Sequence, residues 1–114
     1  MLASNVFLKI LAKEIPARIA HEDDLCLAFH DAHPHAPVHV LIIPKRVIRT
    51  HADLTAEDAG LIGHLNLVAV ELAKDLGLTA GYRVVVNCDD AGGQTVPHLH
   101  LHLLGGRPFD WPPG

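Results

Sequence analysis

The stretch His98-Leu99-His100-Leu101-His102-Leu103-Leu104 constrains this chain more than any other. Alternation with a period of two fits an extended strand and does not fit a helix, whose apolar positions recur at three and four. Successive side chains of a strand point to opposite faces, so the three imidazoles share one face and the leucines the other. Neighbouring histidines then stand ~6.5–7 Å apart. The leucines require a core, and the imidazoles are presented as a row. Any fold for this chain must cover one face of that strand and leave the other usable.

The rest of the sequence supplies the cover. Residues 4–13 carry Phe7, Ile10 and Leu11 at helical spacing behind Ser4 or Asn5 as a cap, and Pro16 follows the end of that helix. Residues 18–22 and 25–30 are short strand candidates around the acidic turn Glu22-Asp23-Asp24. His33 to Pro37 is a loop set by two prolines. His39-Val40-Leu41-Ile42-Ile43 reads as a buried strand closed by Pro44. The clearest helix spans about 55–76. Thr55 is its N-cap, Leu61, Leu65, Val68, Leu72 and Leu76 form one face, and Gly77 is its stop. Residues 82–88 form the next strand, Asp89 to Gln94 a turn, and 96–104 the last strand. Strands that pair with chain neighbours, joined by two helices, imply an α+β fold with a mainly antiparallel sheet.

With 114 residues the chain forms one domain, 1–114, able to bury roughly two-thirds of its unfolded surface. Its 49% of AVILMFWYC residues against 19% charged excludes disorder. A net charge of −4 argues against gripping a nucleic-acid backbone. No apolar run reaches the ~18–20 residues of a membrane span. Met1 to Lys13 lacks the pattern of a secretory leader. Cys26 and Cys88 show no C-x-x-C spacing and read as core packing, so the expected location is cytoplasmic.

Three readings of the histidine row compete: a solvated polar face, a metal site, and acid–base or nucleophilic chemistry at phosphorus. The residues just upstream favour the third. In Gly92-Gly93-Gln94-Thr95 a glycine pair lets backbone N–H groups approach an anion, and Gln94 and Thr95 add side-chain donors. There is no GxxxxGK[ST] loop and no carboxylate trio suited to Mg²⁺. Asp89 and Asp90 read as turn residues.

The motif resembles the His-φ-His-φ-His-φ-φ signature (φ apolar) of the histidine triad (HIT) superfamily. Similarity extends through Lys13-Glu14-Ile15-Pro16-Ala17, Glu22-Asp23-Asp24, Ala28-Phe29-His30-Asp31, Ala36 to Lys45, Gly81 to Asn87, and the ending Leu104-Gly105-Gly106-Arg107…Trp111-Pro112-Pro113-Gly114. Those segments resemble the Hint branch, the histidine triad nucleotide-binding proteins or purine nucleoside phosphoramidases. The tail is unlike that of the dinucleoside polyphosphate hydrolase (Fhit) branch.

The resemblance implies a five-stranded antiparallel sheet with two helices, and a homodimer that joins two sheets into one. It implies cleavage of the P–N bond of AMP- or GMP-phosphoramidates, with aminoacyl-adenylates, joined through a P–O bond, as further substrates, and with no metal and no cofactor. His100 matches the nucleophile that forms a nucleotidyl-imidazole intermediate. His102 matches the residue at the α-phosphate and leaving group, and His98 and His39 match neighbours that orient the nucleophile. Asp31 matches the ribose-binding carboxylate. Asn87, Gly93, Gln94 and Thr95 match the phosphate cradle, with Thr95 where many relatives carry Ser. Val6, Phe7, Ile10, Phe29 and His30 match the purine slot, and Trp111 a residue reaching toward the other subunit's site. Rival readings are an Fhit-type hydrolase, a non-catalytic nucleotide-binding scaffold, and a zinc-dependent protein.

Three positions depart from the family pattern. Val47 stands where many relatives have histidine, Ala32 where Ile is usual, and Pro97 where Tyr is frequent. Pro97 removes a strand donor and suggests an edge or entry position. His21, His33, His35, His51 and His64 read as solvent or loop residues.

Overall fold

The structure, a computed structural model, describes residues 4–114. Met1 to Ala3, the start of the stretch read above for a leader, lie outside the described residues. Helix α1 (Val6–Leu11) precedes strands β1 (Ile19–Glu22), β2 (Cys26–His30) and β3 (Val38–Pro44). Helix α2 (Ala59–Asp75), β4 (Tyr82–Val85) and β5 (Leu101–Gly105) complete the chain. The strands form one antiparallel sheet in the order β1-β2-β3-β5-β4, so the α+β expectation holds. Among the described residues no helix is long and apolar enough to cross a membrane.

Strand alternation divides the core in two. On one face Ala28, Val40, Ile42, Leu101 and Leu103 pack against Leu65, Val68 and Leu72 of α2. On the other, Leu27, Phe29, Leu41 and Ile43 pack against Phe7 of α1. The apolar stripe of α2 is thus the one its spacing predicts, with Ala69 and Ala73 completing it. Burying these side chains is the main force that holds helix to sheet, at ~1.5–3 kcal/mol for each large one.

Three boundaries differ from the sequence reading by three residues or more, each for a local reason. The segment from Thr55 opens as a 3₁₀ turn, Ala56–Asp58, before α2 begins at Ala59. Asp58 causes this. Its carboxylate accepts from the Thr55 N–H at 2.9 Å and the Thr55 hydroxyl at 3.4 Å, and it pairs with Arg46. At the other end Gly77, at φ +74°, stops α2 as expected, with Leu78 N–H donating to Ala73 C=O at 2.9 Å.

The last strand starts at Leu101 rather than 96. Continuing the β3–β5 ladder beyond Ile42↔Leu101 would bring Pro44 into register, and proline has no N–H. The Pro44 carbonyl is taken instead by the ring of His98, and Leu99 N–H donates to Ile48 C=O at 2.6 Å. β4 ends at Val85 instead of 88 because its ladder partner has run out: Val85 pairs with His102, one residue from the start of β5.

Candidate active site

Although only His102 lies in a regular strand, the row of three imidazoles survives. His98 and His100 are buried on the α1 face, and the His100 and His102 rings sit 4.9 Å apart. Leu99, Leu101 and Leu103 point into the α2-side core. Phe7 of α1 stands edge-on to His100 at 5.1 Å and to His98 at 6.1 Å, so the short helix walls the site.

The hydrogen bonds fix where each proton sits, because a carbonyl can only accept and a backbone N–H can only donate. His100 Nδ1 lies 2.6 Å from the His98 carbonyl and must carry the hydrogen, which leaves the Nε2 lone pair free. His98 Nε2 donates to Pro44 C=O at 2.9 Å, so its Nδ1 accepts from Asn5 Nδ2 at 3.0 Å. Asn5 also caps α1, its Oδ1 accepting from Leu8 N–H, so one side chain ties the helix start to His98.

A second relay runs from the loop. His35 N–H donates to His39 Nδ1 at 3.0 Å, so His39 Nε2 carries hydrogen and donates to His102 Nδ1 at 2.9 Å. His102 is left presenting an Nε2–H. The row therefore offers a lone pair on His100 beside an N–H donor on His102. Burial lowers the pKa of His39, His98 and His100, keeping the rings neutral. For His102 burial, with His100 and His39 beside it, brings the pKa down to about 4.

Phe7 and Phe29 are buried in the α1-side core with rings 5.5 Å apart, and Val6 and Ile10 pack partly buried against it. His30 is a correction. It pairs with Val40, whose side chain faces α2, so His30 lies on the opposite face of the sheet from the triad. Asp31 has two roles open to it. Its Oδ1 caps the following turn by accepting from His33 N–H at 2.9 Å, and its Oδ2 lies 3.5 Å from His39 Nε2.

The turn before the triad differs most from expectation. Gly92, Gly93 and Gln94 donate their backbone N–H groups to the carbonyls of Asp89, Asp90 and Asp89. These amides close the turn and do not face outward. Gln94 is buried, and its side chain is fully used: Nε2 donates to Arg49 and Val96 carbonyls, and Oε1 accepts from Asp89 N–H. Asn87 Nδ2 donates to Gly92 C=O at 2.7 Å. Gly93 and Gln94 thus spend on the turn the donors read as facing phosphate, while Asn87 spends one of its two amide hydrogens there and keeps the other. Gly92 is required by packing, since a Cβ there would lie 2.3 Å from the Cys88 carbonyl oxygen. Thr95 is exposed, and among the described residues neither its N–H nor its hydroxyl has a partner.

Beyond β5 the tail is held down. Phe109 lies between the Arg83 and Arg107 guanidinium groups, at 5.0 and 4.3 Å, and Arg83 donates to Asp110 C=O. Trp111 then projects into solvent, 84% exposed, away from any contact with the triad of its own chain. Sequence reading missed Asn5 as a partner of His98 and the His35 backbone as the start of the relay. Asn5 carried a signal as a helix cap, but its second bond crosses 93 positions of the chain. Asp31, His39 and His102 also bring three metal-capable donor atoms within 4.8 Å of one another, although His39 and His102 already share a proton there.

The chain is similar to known proteins over nearly its whole length. Residues 12–109 match the HIT domain family. An uncharacterized HIT-like protein of Synechococcus elongatus is 56% identical over 114 residues, the full length of both chains. Among solved structures, a HIT family hydrolase from Legionella pneumophila superposes with a TM-score of 0.94 at 49% identity, covering 96% of this chain and 99% of that one. A histidine triad protein from Clostridium difficile gives 0.89 at 38% identity, with 93% of each chain covered.

Proposed function

This chain belongs to the HIT domain family, and on that premise we propose that it is a Hint-type hydrolase cleaving the P–N bond of purine nucleoside phosphoramidates. The observation that supports this most is the pairing of opposite tautomers, a bare Nε2 on His100 and an Nε2–H on His102. A nucleophile needs the first and an anionic phosphoryl group the second. The nearby HIT family hydrolase supports the reaction class.

In this reading His100 Nε2 attacks the α-phosphorus and the P–N bond breaks. The departing nitrogen takes up one proton and leaves as an amine. Water then attacks the nucleotidyl-imidazole, gives back one proton, and frees both the nucleotide and His100. His102 Nε2–H and the unpartnered Thr95 donors stabilise the phosphoryl oxygens. His98 holds His100 in its tautomer by its own carbonyl, and His39 does the same for His102. The Asp31 oxygen not used in the turn accepts from the ribose hydroxyls, and Phe7, Phe29, Val6 and Ile10 line the base slot. None of these steps calls for a metal.

A second copy of the chain belongs to the proposal. β4 is an edge strand, and Tyr82, Val84 and Val86 on it and just beyond, with Leu67 and Val70 on α2, are exposed apolar residues. Pairing β4 with its symmetry mate covers such an edge and extends the sheet. It also offers Trp111 a surface outside its own chain.

The deciding experiment uses AMP-amide, GMP-amide, an aminoacyl-adenylate and a diadenosine polyphosphate as parallel substrates, with mass spectrometry of the quenched enzyme. A nucleotidyl adduct on His100, with the phosphoramidates turned over fastest, is expected. His100→Ala should lose turnover by more than about a thousandfold while retaining nucleotide affinity within about tenfold. Residual turnover above that level removes His100 from the nucleophile's role, and faster hydrolysis of the polyphosphate reassigns the substrate.

A further inference from the structure

Four side chains away from the triad converge on one point. His21 of β1, Asp23 of the β1–β2 turn, Cys26 at the start of β2 and His64 of α2 place their donor atoms within 4.8 Å of one another. Asp23 Oδ2 is the centre: His21 Nε2 is 2.6 Å away, His64 Nε2 2.7 Å and Cys26 Sγ 3.5 Å. The other carboxylate oxygen is held by the backbone, accepting from Leu25 N–H at 2.8 Å and Cys26 N–H at 2.9 Å. Cys26 packs in the α2-side core, so the cluster lies across the sheet from the histidine row.

We propose that His21, Asp23, Cys26 and His64 form a divalent metal site of the class that takes Zn²⁺, stapling the β1–β2 hairpin to α2. Two imidazoles, one thiolate and one carboxylate are the donor types zinc accepts, and four of them close a tetrahedral structural site. Zinc bonds of ~2.0–2.3 Å separate tetrahedral ligands by ~3.3–3.7 Å. The imidazole nitrogens need to draw back from Asp23 by less than ~1 Å, and Cys26 already stands at that separation. The backbone donors on Asp23 Oδ1 orient the carboxylate in the way outer partners of metal ligands do. His21, Asp23 and His64 are each about one-third exposed, which gives an ion a path in, while Cys26 closes the inner side. On binding, Cys26 gives up its thiol proton to solvent, and each imidazole moves its proton from Nε2 to Nδ1.

The site lies outside the triad and is independent of the reaction assigned above. Its test is Co²⁺ titration of the full-length, reduced and chelator-stripped protein. Expected is one equivalent bound with tetrahedral visible absorption and a thiolate-to-metal charge-transfer band in the near ultraviolet, both bleached by Zn²⁺. The band should vanish in Cys26→Ser and persist in Cys88→Ser. It should also persist in His102→Ala, which dismantles the other donor cluster. His21→Gln and His64→Gln should each weaken binding by at least about tenfold. These residues are half-buried, and circular dichroism will verify their folding, so they decide the matter if Cys26→Ser fails to fold. Cobalt bound without a thiolate band, a band that follows Cys88, or unchanged affinity in both histidine variants overturns the site. The four residues would then be a hydrogen-bonded brace only.

Discussion

The two imidazoles nearest the proposed chemistry differ because of the groups behind them. His100 has a carbonyl at Nδ1, and His102 has a donated hydrogen there, so their outward nitrogens have opposite character. Burial lowers the pKa of His100 below its ordinary 6.5, so the nucleophile stays unprotonated into mildly acidic solution. The acid limb of kcat/KM should accordingly fall below pH 6.5, and a limb at or above that value would show that a different group controls activity. Gln94 and Thr95 separate frame from chemistry. Gln94→Ala removes three part-buried hydrogen bonds to the backbone and should cost about 2–4 kcal/mol in urea unfolding. Thr95→Val should leave stability within about 0.5 kcal/mol and lower kcat about tenfold or more. Equal stability losses in the two variants would contradict this division.

At the scale of elements, the turn from Asp89 to Gln94 sets the register of everything after it. Its amides are spent internally, so the turn acts as a rigid spacer that delivers Thr95 and the histidine row. Gly92 is its tightest point, with backbone on the side where a Cβ would go. Gly92→Ala should therefore destabilise the protein by about 2–4 kcal/mol and lower activity with it. Gly63→Ala on α2, where a Cβ meets nothing within 4 Å, is the control and should be neutral or stabilising by up to about 1 kcal/mol. Thermal unfolding of both variants is the measurement, and an undisturbed Gly92→Ala would mean that the turn opens readily.

For the molecule as a whole, stability and assembly have readable consequences. His30, His39, His98, His100 and His102 all titrate below their ordinary value when folded. The unfolded chain then binds more protons between pH 6.5 and about 4, so stability is full above 6.5 and falls as pH drops through that window. A urea midpoint independent of pH between 7 and 4.5 would refute the buried neutral row, and His102→Asn should flatten the slope. The exposed apolar edge at β4 leads to a second expectation. Light scattering should give about twice the 12.3 kDa chain mass, and deleting residues 110–114 should alter kcat/KM while leaving the dimer intact. A monomer at micromolar concentration would contradict the assembly.

The sequence by itself determined the sheet faces, the long helix and its stop, and the common side of the three histidines. All of these follow from periodicity and from single residues such as Gly77, whose effects act within a few positions. The apolar partition held even where regular strand geometry did not, because Leu99 is buried whether or not its backbone is in a ladder. Tertiary structure alone decided the rest. The tautomers of His98 and His102 depend on Asn5, Pro44 and His39, which come from other elements. The sequence offers Gln94 as a donor to phosphate, and only folding shows its amide spent on the Arg49 and Val96 carbonyls. By sequence His21 and His64 are solvent residues and Cys26 is core packing, yet β1, the turn and α2 bring all three onto Asp23. Hydrogen-bond partners that lie 41 or 93 positions apart leave no local pattern, because their proximity is set by how the sheet and helices pack.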